Sequence, residues 1–363
     1  MKRTMIDEIF FIRFIACLTV VFIHSITVTQ HHYTLPDFTV ESFYMFKMTL
    51  MFATPVFVMI SEFLLSYSYE DRLPKSFWKK RIMYILIPYI IVAFIYSAYP
   101  LIIDARFNWG VFFDTFIAKT LLGKWHGYFV LIIFQFYALH FLLKRVFDRF
   151  HPALMIGLSL AINLFYLAMF NFQWFQQIPW IAVMLDYYKL PFLGWIFYFT
   201  IAYYAGKNID TFLNLLKKYK YVIIGGVLLT GLVPLLMRYN KIYSIVSSKR
   251  FDIVLYTLCI FCLLYLIAQK IKKNPAFVMW ISSSSYSIYL LHPLFQYNVK
   301  DLLQNAPFYT NLGVHILLLF GIGTGGPLLV SYLLNKVPFG AFIVGKFKVP
   351  KSISPEPDKL KVS

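Results

Sequence analysis

The chain has 363 residues, of which 60% are hydrophobic and 14% are charged. This balance and a mean hydropathy of +0.67 exclude an ordinary soluble globular domain and indicate a polytopic helical membrane protein. The net charge of +18 does not indicate a nucleic-acid partner, because the basic residues lie in short loops between apolar segments, where membrane proteins carry them.

Ten apolar segments are long enough, or nearly long enough, to cross a bilayer. They span residues 9–27, 43–65, 82–103, 128–143, 154–170, 192–205, 221–237, 251–268, 277–295 and 312–334. The predicted fold is therefore all-α, an integral membrane bundle of about ten transmembrane helices. We expect residues 1–345 to form one transmembrane domain and residues 346–363 to form a short, polar, disordered tail.

The distribution of lysine and arginine predicts the orientation of the chain. The two termini and the loops on their side hold 23 of the 34 basic residues, whereas the loops on the other side hold nine. Both termini are therefore expected in the cytoplasm. The loop that carries Arg238, Lys241, Lys249 and Arg250 is an exception, because it places four basic residues outside.

The first segment, IFFIRFIACLTVVFIHS, carries two ionisable side chains, Arg13 and His24. Inserting an arginine into hydrocarbon costs about 2.5–3.5 kcal/mol, so such residues usually line a cavity or a pathway. The spacing between them turns a helix through about 1100° and advances it by about 16 Å. Both therefore share one face, with Arg13 near the cytoplasmic end and His24 toward the outer end. The alternatives are an Arg13 that reaches the inner headgroups and an interfacial His24.

Three further side chains are candidates at the outer side. His126 follows Trp125 at the start of the fourth segment, and His292 lies late in the ninth. Each also has a structural interpretation, because His and Trp are common at membrane interfaces and a His before Pro293 can end a helix.

No metal site is expected. Cys259 and Cys262 spell C-x-x-C inside an apolar helix, without a second pair of ligands. His31 and His32 follow His24 in sequence, but we expect the first helix to end near Thr27, and no carboxylate is suitably spaced.

The R-x10-H spacing of Arg13 and His24 resembles the signature of the membrane acyltransferase-3 family. Four other stretches are similar to the family in the same order: TPVFVMISEFLLSY, KKRIMYILIPY, GKWHGYF and SSSSYSIYLLHPLF. The resemblance extends from residue 6 to about residue 345. The stretches ILIPYI, GWIFYF and FIVGK are most similar to the branch that contains the staphylococcal intercellular-adhesin (poly-N-acetylglucosamine) O-succinyltransferase.

This resemblance implies a ten-helix enzyme of the bacterial plasma membrane that O-acylates a surface polysaccharide or exopolysaccharide. The acyl group, acetyl or succinyl, would come from cytosolic acyl-CoA as a co-substrate, and no bound cofactor is implied. The other expected partners are the glycan acceptor, the lipid bilayer and the polysaccharide synthesis machinery.

The same resemblance implies roles for individual residues. His24 would be the general base, with Arg13 as a second catalytic residue. Arg13 and Arg81 would bind the donor, on the side where the CoA phosphates would lie. His292 would orient the acceptor or His24, and we also assign His126 and Trp125 to the acceptor side.

The chain departs from the family pattern at its second basic position. Many members carry Arg-x-x-Arg where this chain has Arg81 followed by Tyr84. A second cation for the donor is therefore either missing or supplied by Lys79 or Lys80.

A second departure is Glu62, which replaces a glycine of the family pattern. The carboxyl group could pair with Arg13 or His24, narrow the donor channel, or stay neutral. Its depth in the second segment favours Arg13, so we assign Glu62 to the donor side.

A rival hypothesis is an exporter or flippase component for a polysaccharide or a lipid-linked sugar, which would use Arg13 and His24 as pathway residues. Transporters often show paired broken helices and inverted repeats. Neither is visible in this sequence, so the acyltransferase is favoured.

Overall fold

A computed structural model describes residues 7–69, 74–302 and 311–347 of the chain. Residues 348–363 of the predicted tail, and the basic residues Lys2, Arg3 and Arg72, lie outside the described residues. The helices are α1 (Asp7–His32), α2 (Asp37–Leu50), α3 (Ala53–Ser68), α4 (Phe77–Arg81), α5 (Ile87–Ile103), α6 (Trp109–Thr120), α7 (Phe129–Arg149), α8 (Pro152–Asn171), α9 (Gln173–Gln176), α10 (Pro179–Met184), α11 (Ile196–Lys207), α12 (Ile209–Lys218), α13 (Lys220–Tyr239), α14 (Ile253–Ala268), α15 (Ala276–Leu302), α16 (Leu312–Leu334) and α17 (Ala341–Val344).

Within the described ranges, seven helical runs are long and apolar enough to cross a membrane. They are Asp7–His32, Asp37–Ser68, Phe77–Ile103, His126–Arg149, Pro152–Asn171, Lys220–Tyr239 and Leu312–Leu334. Three other predicted segments overlap α11, α14 and α15. The predicted class, a polytopic helical bundle, is confirmed, whereas the number of crossings and the side of each terminus stay predictions.

Helix α1 is the central element of the bundle, because it packs along α3, α14, α15 and α16. It continues to His32, so the expected end near Thr27 is wrong. The reason is local: the hydroxyl groups of Thr27 and Thr29 donate to the carbonyls of Ile23 and Ser25 at 2.9 Å. The helix itself thus satisfies these polar side chains, and the apolar face continues past them.

Two prolines interrupt helical runs beside the site. Pro55 has no N–H to donate to the carbonyl of Met51, and the helix is interrupted at residues 51–52, between α2 and α3. Pro88 follows a π-helical turn at Ile82–Leu86, which joins α4 to α5. Such turns re-aim side chains, and this one carries Tyr84 into a cavity described below.

The apolar core lies around α11, which is almost completely buried against α3 and α8. A Cβ atom on Gly206 would meet the Phe63 carbonyl oxygen at 2.4 Å. A glycine is therefore required where α11 crosses α3. This core holds α3 and α7 at fixed positions, and both helices supply side chains to the candidate site.

Candidate active site

A cavity of about 390 Å³ lies near the amino end of α1. Four cations from three separate parts of the chain line it: Arg13, Lys80, Arg81 and Lys346. No acidic side chain belongs to its lining within the described residues. We call this space the arginine cavity. Its unbalanced positive charge fits an anionic ligand.

Hydroxyl groups complete the lining of the arginine cavity. They belong to Ser61, Tyr84, Tyr137, Ser282, Ser283, Ser285, Tyr286 and Tyr289. The buried hydroxyls of Ser282 and Ser283 have no hydrogen-bond partner in the described part of the chain. A buried donor without a partner costs about 1–3 kcal/mol. The cavity is therefore suited to a ligand with several hydrogen-bond acceptors.

Aromatic rings hold the second arginine in place. The Arg81 guanidinium lies 5.0 Å from the ring centre of Phe77 and 5.1 Å from that of Tyr137. This cation–π packing fixes the orientation of the Arg81 guanidinium group. Lys80 lines the cavity and Lys79 is not among its lining residues. Of the two lysines that the sequence offered as a second cation, the structure places Lys80 at the cavity.

Glu62 does not line the arginine cavity, and its expected pairing with Arg13 is wrong. Its side chain is fully buried, and its Oε1 atom lies 2.7 Å from Nδ1 of His140 on α7. The Oε2 atom has no hydrogen-bond partner in the described ranges. Because Glu62 follows Ser61 on α3, its side chain points toward α7 and away from the cavity.

The buried Glu62–His140 pair leads to a stability prediction. The variant His140→Leu is expected to lower the free energy of unfolding by about 1–3 kcal/mol, because it leaves a buried carboxyl group without a partner. The double variant Glu62→Leu/His140→Leu should recover most of that loss. Thermal unfolding in detergent measures both, and a double variant less stable than either single variant would contradict this account.

Three histidine rings meet toward the other end of α1. The ring centres of His24 and His292 are 4.9 Å apart, those of His126 and His292 are 5.6 Å apart, and those of His24 and His126 are 6.3 Å apart. The sequence placed all three residues on one side of the membrane and offered His292 as a residue that orients His24, but it did not predict the contacts of His126. Among the described residues, no group of three or more His, Cys, Asp or Glu side chains is arranged to hold a metal ion.

The hydrogen bonds of two rings fix their tautomers. Nδ1 of His292 lies 2.9 Å from the Ile288 carbonyl, and Nε2 of His126 lies 3.1 Å from the Leu290 carbonyl. A carbonyl can only accept, so each of these nitrogens carries a proton. The buried Nε2 of His292 is then an acceptor, and it has no partner in the described part of the chain.

Pro293 lies next to these rings, and helix α15 continues through it, so the alternative in which His292 ends a helix is wrong. Leu294, the residue after Pro293, donates its N–H to the Tyr96 hydroxyl at 2.8 Å. The Leu290 carbonyl accepts from His126 at 3.1 Å and from the Tyr96 hydroxyl at 3.3 Å. These bonds tie the loop before α7 and helix α5 to α15.

A second cavity, of about 250 Å³, adjoins these rings and is called the histidine cavity. Its lining includes His24, His126, Thr54, Tyr128, Tyr289, Val246, Ser247, Ser248 and Lys249. Neither ring nitrogen of His24 has a hydrogen-bond partner in the described ranges, and the side chain is half-buried. His24 is therefore accessible to a ligand in this cavity.

Trp125 supports His126 and is not among the residues that line the histidine cavity. Its ring centre lies 4.8 Å from that of His126, and its Nε1 donates to the Tyr89 hydroxyl at 3.4 Å. A Cβ atom on Gly127 would meet the Trp125 ring at 2.4 Å. Gly127 therefore allows the tryptophan to fold back against its own loop.

Tyr289 belongs to the lining of both the arginine cavity and the histidine cavity. Its hydroxyl donates to the His126 carbonyl, and its ring packs against Phe129 at 4.8 Å between centres. Because α1 is one continuous helix, Arg13 and His24 lie on one face about 16 Å apart along its axis. The two cavities are therefore neighbours at two depths, with Tyr289 between them.

The loop between α13 and α14 covers the histidine cavity. Arg250 is fully buried, pairs with Asp252 at 2.5 and 2.8 Å, and donates to the carbonyls of Tyr243 and Ile245. This pairing accounts for one of the unexpected basic residues of the loop, because it holds the loop in place. Burial lowers the pKa of Lys249 to about 8, so its amine still carries charge at neutral pH.

The family model with the description "Acyltransferase domain" matches residues 6–336 of the chain. The "Putative membrane-bound acyltransferase YfiQ" of Bacillus subtilis is 37% identical over 354 residues, which cover 95% of this chain and 96% of the relative. The "Probable poly-beta-1,6-N-acetyl-D-glucosamine export protein" of Staphylococcus aureus is 28% identical over 358 residues, 93% of this chain and 95% of the relative.

A protein of the same name from Staphylococcus epidermidis is 29% identical over 357 residues, which cover 93% of this chain and 94% of the relative. No solved structure is significantly similar to the chain. The family model and the Bacillus relative each cover nearly all of the sequence, and the spanning helices place it in the bacterial membrane. The chain is therefore a multi-pass member of the acyltransferase-3 family of membrane acyltransferases.

Proposed function

We propose that the chain transfers an acetyl or succinyl group from cytosolic acyl-CoA to a hydroxyl group of a cell-surface or exopolysaccharide sugar. The observation that carries this proposal is the pair of neighbouring cavities, one cationic and one lined by histidine, with Tyr289 in both linings. An enzyme that joins an inner donor to an outer acceptor needs two such compartments.

The arginine cavity suits the donor. The phosphates of CoA are anions with many acceptor oxygens, and arginine binds such groups with a planar fork of donors. Arg13 and Arg81 supply the two guanidinium groups, and Lys80 and Lys346 add two further positive charges. With the amino terminus in the cytoplasm, this cavity faces the compartment that holds acyl-CoA. The pantetheine arm then extends along α1 toward Tyr289.

The histidine cavity suits the reacting hydroxyl. His24 takes the proton of the sugar hydroxyl as its oxygen attacks the thioester carbonyl carbon. The bond from that carbon to sulfur breaks, an ester forms, and the proton passes to the CoA thiolate to give the free thiol. The reaction is balanced without any further reactant.

His292 is a positioning residue in this scheme. Its Nδ1 proton is committed to the Ile288 carbonyl, so its Nε2 atom can only accept. A rotation of the neighbouring His24 ring would let His24 donate one N–H to that atom and leave its other nitrogen as the base. His126, held between Leu290 and Trp125, limits the space for this rotation.

A second candidate function is a role in polysaccharide export. The names of the two staphylococcal relatives favour it, because each is called a probable export protein for poly-beta-1,6-N-acetyl-D-glucosamine. An exporter would move the glycan through the bundle without consuming acyl-CoA.

Purified protein in liposomes, supplied with labelled acyl-CoA and a β-1,6-linked N-acetylglucosamine oligosaccharide, is expected to form an O-ester and release free CoA. Mass spectrometry of the glycan and a thiol assay measure the two products together. Liposomes without protein are the control. Glycan that crosses the membrane while no donor is consumed would reject the transferase and favour export.

A further inference from the structure

A third cavity, of about 450 Å³, adjoins the histidine cavity. Its polar lining consists of Thr27, Tyr44, Lys47, Arg238 and Ser244. Three apolar residues, Ile23, Met51 and Val246, line both spaces. We call this space the lysine cavity. The lysine cavity therefore shares part of its wall with the compartment in which His24 lies.

Lys47 is the unusual residue of the lysine cavity. It is 5% exposed, and its Nζ donates to Oε1 of Gln30 at 2.5 Å and to the Thr27 hydroxyl at 3.3 Å. Both partners are neutral, and no acidic side chain pairs with Lys47 in the described part of the chain. An ammonium group has three donors, and the third makes no hydrogen bond in the described part of the chain, although the Tyr44 ring centre lies 4.9 Å from Nζ. A buried charge without a counter-ion is costly unless a ligand supplies one.

The other cation of this cavity is already balanced. Arg238 forms a bidentate salt bridge with the Glu41 carboxylate, with both hydrogen bonds 2.7 Å long. It also donates to the Ser244 carbonyl. These contacts use three of the five N–H donors of Arg238, and the Glu41 carboxylate balances its charge. Lys249, in the adjoining histidine cavity, adds a further positive charge. The two adjoining cavities together therefore carry an excess of positive charge, with Lys47 in one and Lys249 in the other.

The position of Lys47 relative to His24 is set by α1. Thr27, which accepts from Lys47, lies three residues after His24, about 4.5 Å further along the helix axis. Thr27 keeps its own proton on the Ile23 carbonyl, so its oxygen is free to accept from the ammonium group. The charge thus lies nearly one helical turn beyond the proposed base, on the side away from Arg13.

We propose that the lysine cavity is an anion subsite, which binds a carboxylate or phosphate group carried by one of the two molecules that react at His24. This inference rests on the proposed transferase function. One source of the anion is the far end of a dicarboxylic acyl chain, because a donor arm that enters from the arginine cavity directs the end of its acyl group past His24. The other source is an anionic substituent of the acceptor near the reacting hydroxyl.

The experiment compares three substrate pairs: acetyl-CoA with a neutral N-acetylglucosamine oligosaccharide, succinyl-CoA with the same oligosaccharide, and acetyl-CoA with its phosphorylated counterpart. The readout is the ratio of kcat/KM for each charged pair to that for the neutral pair. Wild-type protein is expected to favour one charged pair by about tenfold or more. Lys47→Met is expected to lower that ratio to about one, a loss of about tenfold or more, and Lys47→Arg should keep most of the preference.

Lys124 supplies the control, because it is exposed, pairs with Asp186 at 2.9 Å and is not among the lining residues of the three cavities. The variant Lys124→Gln removes one charge and should leave the ratio unchanged. A loss with succinyl-CoA assigns the anion to the acyl chain, and a loss with the phosphorylated acceptor assigns it to the glycan.

Two results would overturn the subsite. In the first, wild-type protein shows no preference for either charged pair, a test that needs no variant to fold. In the second, Lys47→Met lowers all three kcat/KM values equally, as a purely structural role would. Either result leaves the transferase in place, whereas a failure of wild-type protein to transfer from any donor rejects the proposed function itself.

Discussion

The variant His24→Ala is expected to lower the rate of acyl transfer by about 10²–10⁴-fold, the range that a positioned general base contributes. The reason is geometric as well as chemical. His24 lines the histidine cavity and its ring nitrogens have no hydrogen-bond partner in the described ranges. A sugar hydroxyl is a weak nucleophile at neutral pH, so loss of the base should affect turnover far more than binding of the donor.

The measurement is a single-turnover rate with both substrates saturating, together with the thermal stability of each variant in detergent. His31→Ala is the matched control, because His31 lies on the same helix but is exposed at its carboxyl end. It should transfer at the wild-type rate. If His24→Ala kept near-full transfer in a folded protein, the base would have to be another side chain near the histidine cavity, such as His126 or His292.

The shared face of Arg13 and His24 could be predicted from the sequence because helical geometry alone determines it. An apolar segment must be helical in a bilayer, and its spacing then fixes which residues share a face. The structure adds that each side chain lines a cavity inside the bundle. Helical periodicity alone is therefore sufficient to predict that Arg13 and His24 lie on one line along α1.

The contact between His126 and His292 could not be predicted, since it depends on a tertiary hydrogen bond. His126 binds the Leu290 carbonyl of α15, which also accepts from the Tyr96 hydroxyl. The sequence signal was Pro293, which opens a helical turn wherever it lies in a helix interior. It does not reveal which distant donors bind the carbonyls of that turn.

His140 was missed for a similar reason. It lies within an apolar stretch of α7, and nothing beside it in sequence suggests a partner. The useful signal was Glu62, because a carboxyl group in a membrane helix requires a partner at the same depth. His140 meets that requirement on a neighbouring helix, whereas Arg13 is directed into the arginine cavity.

The charges of the loop between α13 and α14 show where a counting rule fails. Four basic residues on the predicted outer side disagree with the positive-inside rule. Two of them, Arg238 and Arg250, are bound to acidic partners and to loop carbonyls. Such buried, paired charges stabilise the loop, and the sequence alone does not distinguish them from exposed charges at the membrane surface.

The variant Arg13→Gln is expected to raise KM for acyl-CoA by about 10- to 100-fold, because a charge-assisted hydrogen bond contributes about 1.5–3 kcal/mol. Arg81→Gln should have a similar effect. KM for the glycan acceptor should change much less, since both arginines line the arginine cavity and the acceptor is assigned to the histidine cavity. Initial rates with each substrate varied in turn measure the two constants.

Arg145→Gln is the matched control, because Arg145 is exposed on α7 and is not among the residues that line the arginine cavity. A second donor makes the test specific. Acyl-pantetheine lacks the phosphates of CoA, so wild-type protein should use it poorly and Arg13→Gln should lose little further. The loss from the variant and the loss from the truncated donor are then not additive, as expected when both remove one interaction. Additive losses, or equal weakening of donor and acceptor, would show that Arg13 maintains the helix bundle and does not bind the donor phosphates.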